Sequence, residues 1–318
     1  MFQGCYNKKR DTLTIKDELF MVEDAKLKLL PKASIIKYND KGNVFKSCEP
    51  WHIKRPFLHD LIQGINDYIF DSNNELEINM FSKNIIYFTF GYTFNQNIPL
   101  NSLPKNLTSL IFGHNYNLEI RETVLPITLT CLIFGHEYNQ KIKKGVIPQK
   151  LISLTFGNNF NQIILSDSLP NNLQELIFGY GYNHSIFKNT LPKKLLKLTF
   201  GHSFNSEFFC PLPTHITYLF FGHNYNRIIE KDVLPRNLKI LYFYGSINNS
   251  NTINMLPDTV EEIALYNLKA DISNLPLFFK KVKIMANIYE NYDDIVKIKV
   301  PFGCVITNKS NTEINIYN

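Results

Sequence analysis

A period of 22 residues runs through the middle of the chain and restricts its fold more than any other feature of the sequence. A glycine recurs at this interval, with one step of 21 residues, and a proline recurs in step with it. A fixed period in the twenties predicts a solenoid, because one repeat cannot bury its apolar side alone and must stack on its neighbours. The glycines are Gly91, Gly113, Gly135, Gly157, Gly179, Gly201 and Gly222, and the prolines are Pro104, Pro126, Pro148, Pro170, Pro192, Pro213, Pro235 and Pro257.

Each repeat contains a short segment in which large apolar residues alternate with others. Within 103–125, Leu110 and Phe112 alternate with Ser109 and Ile111, which is typical of a β-strand with Leu and Phe facing the core. We expect successive strands to pair in register as one parallel sheet of nine strands, about 4.8 Å apart. The phenylalanines predicted to face the core are Phe112, Phe134, Phe156, Phe178, Phe200 and Phe221.

A turn is predicted directly after each strand. Glycine at this point is expected to adopt a positive φ angle, which it alone does without cost. An asparagine follows the glycine by four residues in most repeats, and we expect it to satisfy backbone groups of a buried turn, forming a ladder along the solenoid. Too few residues separate it from the next proline for an α-helix, so the return side is predicted to be loop, 3₁₀ turn or short strand. These asparagines are Asn95, Asn117, Asn139, Asn161, Asn183, Asn205, Asn226 and Asn248.

The sequence contains no recognisable catalytic pattern. No Gly-x-Ser-x-Gly, P-loop or His-Glu-x-x-His spacing occurs, so no enzyme activity, catalytic residue or cofactor is predicted. Four histidines directly follow a repeat glycine, but no cysteine or carboxylate recurs there, and zinc usually requires four ligands. We interpret this position as open to any polar side chain, without a metal. It is occupied by Tyr92, His114, His136, Asn158, Tyr180, His202 and His223.

Composition narrows the compartment and the class of partner. The five cysteines are scattered without a Cys-x-x-Cys spacing, which favours a reducing, intracellular and cytoplasmic location (the host cytoplasm if the protein is viral). No apolar run resembles a signal peptide or a membrane span, so no membrane association is predicted. The formal net charge is +6, but no basic cluster with interleaved aromatic residues occurs, which argues against nucleic-acid binding.

The outward positions of the predicted strands suggest an interaction surface. They carry Thr, Ile, Phe and Tyr, which strand propensity alone would explain. A continuous apolar row of this length is, however, more than a monomer usually exposes, and its aromatic end is where we expect a binding hot spot for a protein partner of unknown identity. The predicted binding residues are Tyr218, Phe220, Tyr242, Ile177, Lys197 and Glu175.

The repeat resembles the FNIP repeat family, which occurs in social amoebae and large DNA viruses. The segment Phe94-Asn95-Gln96-Asn97-Ile98-Pro99 nearly spells the Phe-Asn-Ile-Pro consensus, and the resemblance covers about eight units over 81–266. FNIP repeats are in turn similar to leucine-rich repeats. The resemblance therefore implies a mainly β, leucine-rich-repeat-like solenoid with one parallel sheet, acting as a non-enzymatic scaffold for protein–protein interaction.

The chain is predicted to have three parts: residues 1–80, the repeat solenoid over 81–266, and degenerate repeats with a C-terminal cap over 267–318. The first part is expected to be a small mixed α/β region, with strands at Thr12–Lys16 and Ala33–Tyr38 and an amphipathic helix at Pro56–Phe70. It is either a cap on the first coil or a regulatory adaptor module. FNIP proteins can carry an F-box that recruits a ubiquitin ligase, but the residues after Leu30-Pro31 do not follow that motif.

Overall fold

Among the residues that the structure describes, twelve parallel strands form one sheet, which is the body of the protein. The structure is a computed structural model and describes residues 4–7, 12–15, 67–230, 232–246, 256–267, 277–285 and 301–314. The sheet runs in chain order from β3 at one edge to β14 at the other, and β1 and β2 form a separate antiparallel pair. The strands are β1 (Gly4–Asn7), β2 (Thr12–Ile15), β3 (Asp67–Phe70), β4 (Tyr87–Phe90), β5 (Ser109–Ile111), β6 (Cys131–Ile133), β7 (Ser153–Thr155), β8 (Glu175–Ile177), β9 (Lys197–Thr199), β10 (Tyr218–Phe221), β11 (Ile240–Ser246), β12 (Glu262–Asn267), β13 (Lys281–Ile284) and β14 (Val305–Thr307).

The 22-residue period sets the register of this sheet. Leu132 of β6 pairs with Leu110 of β5 on one side and with Leu154 of β7 on the other. Because equivalent positions pair, strands β5 to β11 each present a buried leucine to the same core. The predicted parallel solenoid is therefore confirmed, with no helix among the described residues, and the return side consists of turns, irregular segments and one parallel bridge between Ile186 and Phe208.

The sheet begins earlier than the repeat pattern indicated. Residues 67–70, which the sequence analysis assigned to the end of a helix, form β3 and pair in register with β4. That part of the helix prediction is wrong, because the open edge of β4 offers hydrogen-bonding partners that an apolar periodicity cannot reveal. Residues 56–66 and the predicted strand over 33–38 lie outside the described residues, whereas the prediction over 12–16 agrees with β2.

Two rows of stacked aromatic rings fill the core. Phe156 stacks on Phe178 of the next coil with 5.6 Å between ring centroids, and on Phe160 of its own coil at 3.8 Å. The rings lie within about 12° of parallel at these contacts, so each ring has flat neighbours both along the solenoid and across the coil. The first row is Phe90, Phe112, Phe134, Phe156, Phe178, Phe200, Phe221 and Phe243; the second is Phe94, Tyr116, Tyr138, Phe160, Tyr182, Phe204 and Tyr225.

The repeat glycines allow close approach between coils. A Cβ atom on Gly157 would overlap the carbonyl oxygen of Gly135 in the preceding coil, and the same holds for each later glycine of the column. Positive φ angles are found at Gly145 and Gly303 but at none of these repeat glycines. The expectation that they supply a left-handed turn is therefore wrong. They are glycine because the backbone of the neighbouring coil occupies the space of a side chain.

The left-handed turn lies on the return side of the coil instead. Asn101 and Asn189 adopt φ angles of 64° and 63°, and Gly145 occupies the same repeat position at 86°. Asn, Asp and Gly tolerate this conformation better than other residues. The positive-φ residues of this position are Asn79, Asn101, Thr123, Gly145, Asp167, Asn189 and Asp232.

The recurring asparagines form a hydrogen-bonded row at the surface. The backbone N–H of Asn161 donates to Oδ1 of Asn139, and the N–H of Asn183 donates to Oδ1 of Asn161, at 2.9 and 3.0 Å. The row begins at Asn73, one coil before the first predicted member, and reaches Asn226, while Asn248 lies outside the described residues. The prediction that these asparagines lie in a buried turn is wrong, because Asn161 is exposed. Each bond then contributes about 0.5–1.5 kcal/mol.

Gly157→Ala is predicted to be among the most damaging small substitutions in the chain. The added methyl group must push two coils apart, and we expect a loss of more than about 3 kcal/mol in the free energy of unfolding, at the upper end of overpacking effects. Thr155→Ala, two residues earlier on the outward side of β7, should cost about 0.5 kcal/mol or less. Thermal melts of the two variants test this, and similar losses would refute the close-contact role of the glycine.

Candidate functional site

The six predicted binding residues lie on one face of four adjacent strands, β8 to β11. Glu175 pairs with Lys197, which pairs with Tyr218, and two residues further along the strands Phe220 pairs with Tyr242. Since residues two apart on a strand share a face, the sheet brings them together as one patch. We call Glu175, Ile177, Lys197, Tyr218, Phe220 and Tyr242 the sheet-face cluster.

The members of the sheet-face cluster differ in exposure. Lys197 is exposed, and the three aromatic residues are half-buried. Ile177 is only 7% exposed, so its proposed place at the surface is wrong. It lies between Thr155 and Thr199 in the sheet, and side chains at this strand spacing cover one another. The accessible part of the cluster is therefore its aromatic end and Lys197.

The aromatic end has rings set at steep angles to one another. The Tyr242 ring lies 5.5 Å from that of Tyr218 and 6.5 Å from that of Phe220, with interplanar angles near 60°. The hydroxyl of Tyr242 donates a hydrogen bond to Glu262. Burial, with smaller effects from Glu262 and Glu175, raises the pKa of Tyr218 to about 12, so this hydroxyl remains a donor at neutral pH.

Polar partners connect the other end of the cluster. Glu175 accepts a hydrogen bond from Oγ of Ser153 at 3.1 Å, and Nζ of Lys197 lies 3.9 Å from Oε1 of Glu175. Lys197 is more than half exposed, so this ion pair contributes little to stability. The sheet-face cluster can therefore present one cationic and three aromatic side chains to a partner.

A second apolar surface, which the sequence analysis missed, lies on the return side. Phe187 and Phe209 are 48% and 60% exposed, and their rings stack at 5.2 Å. Leu165, 60% exposed, occupies the equivalent position in the preceding coil. The 22-residue interval between these three residues is visible in the sequence. They lie outside the strands, however, and the alternating strand pattern therefore does not predict whether their side chains are exposed. We call them the return-side row.

The positions after the repeat glycines form a row of stacked planar side chains. The His114 and His136 rings lie 4.6 Å apart and 4° from parallel, and the Tyr92 ring stacks on His114 at 4.4 Å. Further along, the His202 ring lies between those of Tyr180 and His223, at 4.4 and 4.9 Å. We call this set of residues, Tyr92, His114, His136, Asn158, Tyr180, His202 and His223, the post-glycine row.

Two members of the post-glycine row have contrasting surroundings. His202 has a buried Nδ1 atom without a hydrogen-bond partner, and burial together with the His223 imidazole holds its pKa below the usual 6.5. Nδ1 of His136, in contrast, bonds to Oε1 of Glu137 at 2.9 Å. Burial acts to raise the pKa of Glu137, but hydrogen bonds from His136 and Asn159 and the nearby imidazoles lower it overall.

The parallel sheet and the stacked coils define a leucine-rich-repeat-like solenoid. The FNIP Repeat family matches residues 94–137, 138–181, 182–224 and 225–267. These four segments together cover more than half of the 318 residues, and the chain therefore belongs to the FNIP repeat family.

Solved structures similar to this chain include two leucine-rich-repeat proteins. The crystal structure of CroV588, described as a novel circular LRR protein structure, is 33% identical with a TM-score of 0.57, over 74% of this chain and 39% of CroV588. The chain thus spans well under half the length of that relative. The leucine-rich repeat-containing protein LegL7 from Legionella pneumophila is 13% identical, with a TM-score of 0.34, over 78% of this chain and 92% of LegL7. No curated protein matches the chain.

Two further observations concern membrane spans and cysteine chemistry. Within the described residues, no helix has the length and apolar character needed to cross a membrane. Cys131, Cys210 and Cys304 are free thiols, and burial raises the pKa of each. A raised pKa keeps a thiol protonated and unreactive at neutral pH.

Stability is predicted to fall as the pH drops below about 6.5, in part through His202. The pKa of His202 is lower in the folded state than in the unfolded state, so the unfolded state binds the proton more tightly. The contribution of neutral His202 to the free energy of unfolding is therefore present above the unfolded-state pKa and is lost as the pH falls toward the lower folded pKa. His202→Asn should reduce the drop in Tm between about pH 7.5 and pH 5, and Asn158 shows that the row accepts asparagine. An equal drop in both proteins would contradict the assignment.

Proposed function

We propose that the protein is a non-enzymatic, intracellular scaffold that binds a protein partner on the outward face of its sheet. The observation that carries this proposal is the sheet-face cluster, in which three half-buried aromatic residues and Lys197 come from three consecutive strands, β9 to β11. Leucine-rich-repeat-like solenoids generally act as interaction scaffolds, since stacked coils present an extended surface. Tyr, Trp and Arg dominate binding hot spots, and clustered aromatic side chains supply large contact area at low entropic cost.

The charge distribution supports a protein partner and not nucleic acid. Several basic side chains of the solenoid pair with acidic side chains of neighbouring coils, as Arg227 does with Glu207 at 2.7 Å and Lys280 with Glu261 at 3.0 Å. Near the sheet-face cluster, Lys197 and Lys281 lie beside Glu175 and Glu262. A surface of mixed sign lacks the clustered positive potential that attracts a phosphate backbone.

The double variant Phe220→Ala/Tyr242→Ala is predicted to lose the partner. Loss of one hot-spot side chain costs 2 kcal/mol or more, so the dissociation constant should rise by about 30-fold or more. Pull-down from a lysate of the source cells identifies the partner, and titration with the purified partner gives the constant. The matched control is Phe187→Ala/Phe209→Ala, which removes two rings from the return-side row.

The two double variants separate the two surfaces. Both remove two partly exposed aromatic rings, so a general loss of solubility or packing would affect them alike, and thermal melts show whether each remains folded. Loss of binding only in the return-side variant would move the interface to the other side of the solenoid. Unchanged binding in the Phe220→Ala/Tyr242→Ala variant would remove the sheet-face cluster as the binding surface.

The alternative is a regulatory adaptor, for example in recruiting substrates to a ubiquitin ligase, acting through residues 1–80. Because β3 is part of the solenoid sheet, the deletion that tests this role removes residues 1–66 and leaves β3 in place. If the N-terminal region is a cap, the shortened chain should aggregate, because its first coil is uncovered. A soluble, folded fragment that has lost one partner, measured by light scattering and pull-down, would favour the adaptor.

A further inference from the structure

We infer that His114 and His136 form a binding site for a divalent late transition-metal ion, with Glu137 positioning His136 and Zn²⁺ as the ion used to test it. One ligating atom from each of these residues lies within 4.8 Å of the others. The three side chains are partly exposed, so an ion can reach them from solvent. The site joins two neighbouring coils and lies apart from the sheet-face cluster.

The hydrogen bonds of the two histidines arrange them as metal ligands. A carboxylate only accepts, so Nδ1 of His136 carries the proton that bonds to Oε1 of Glu137 at 2.9 Å. Nδ1 of His114 likewise faces Oδ1 of Asn115 at 2.9 Å. An oxygen that holds the Nδ1 proton leaves the lone pair on Nε2, which is the arrangement found at histidine metal ligands.

Glu137 is itself held in position. Its second carboxylate oxygen, Oε2, accepts a hydrogen bond from Nδ2 of Asn159 in the following coil at 2.7 Å. Both oxygens are thus engaged, which favours a positioning role for Glu137 beside His136 over direct ligation. The two imidazoles supply the ligands, and water completes the coordination.

The ring spacing is suitable after a small movement. The centroids of the two nearly parallel rings lie 4.6 Å apart. Two imidazole nitrogens that bind one ion at the usual 2.0–2.1 Å lie about 3–4 Å from each other. Because the rings are nearly parallel, they must tilt toward each other for both nitrogens to point at one ion, and both side chains are partly exposed. Imidazole ligands select Zn²⁺, Ni²⁺ or Cu²⁺ over Mg²⁺ and Ca²⁺, which prefer oxygen.

The repeat pattern in the sequence indicates the paired histidines but not their carboxylate partner. No carboxylate recurs in every repeat, and Glu137 follows a repeat histidine in a single coil. His202 and His223 stack in the same row at 4.9 Å and 21°, but Nδ1 of His202 has no partner. This second pair lacks the positioning oxygen and serves as an internal control.

The test is calorimetric titration of the full chain, without an affinity tag, with Zn²⁺ and with Mg²⁺. We expect Zn²⁺ but not Mg²⁺ to bind, and binding to the folded state should raise Tm by about 3 °C or more at saturation. His136→Asn should weaken Zn²⁺ binding at least tenfold, and Glu137→Gln should weaken it by about 10–100-fold. His202→Asn should leave it unchanged.

Each substitution uses a side chain that the post-glycine row already contains or a close isostere. Asn158 occupies the row one coil after His136, and tyrosine occupies it at Tyr92, so His114→Tyr provides a second variant if His136→Asn fails to fold. Absence of Zn²⁺ binding by the unmodified chain would overturn the proposal. Unchanged affinity in the folded His136→Asn or His114→Tyr variant, or an equal loss in His202→Asn, would also overturn it.

Discussion

The close stacking of coils is the constraint on which the rest of the structure depends. Pairing of parallel strands sets the coils about 4.8 Å apart on the sheet side. At the turns after strands β4 to β10, the backbone of the preceding coil lies where a side chain of the repeat glycine would be, and only glycine fits there. Without that column, the aromatic rows and the asparagine row could not keep the same spacing as the sheet.

The aromatic rows show how strongly this spacing selects for flat side chains. The hydroxyls of Tyr138 and Tyr182 are buried without a hydrogen-bond partner, an arrangement that costs stability. Burial raises the pKa of both phenols well above the usual value, so they remain uncharged. Phe160 occupies the same row between them, so the position requires a ring that can stack and tolerates the hydroxyl.

Regular stacking also explains where chemistry arises in this fold. A side chain at any position lies directly beside its equivalents in the adjacent coils, so a site forms wherever suitable residues occur in consecutive repeats. The sheet-face cluster arises in this way from four strands, and the proposed metal site arises from two coils. Neither needs a residue that recurs throughout the array, and both therefore depend on local departures from the repeat.

The sequence by itself determined the solenoid, the parallel register and the inward rings, because a period of 22 admits only one stacking of equivalent positions. The tertiary structure decided features that depend on neighbours across coils. Pairing with β4 made residues 67–70 a strand, and flanking strands buried Ile177. Contact between backbones, not a positive φ angle, explained the glycines, and the partners of His136 distinguished it from His202. Such contacts join residues about 22 positions apart, and no local pattern records which of them will touch.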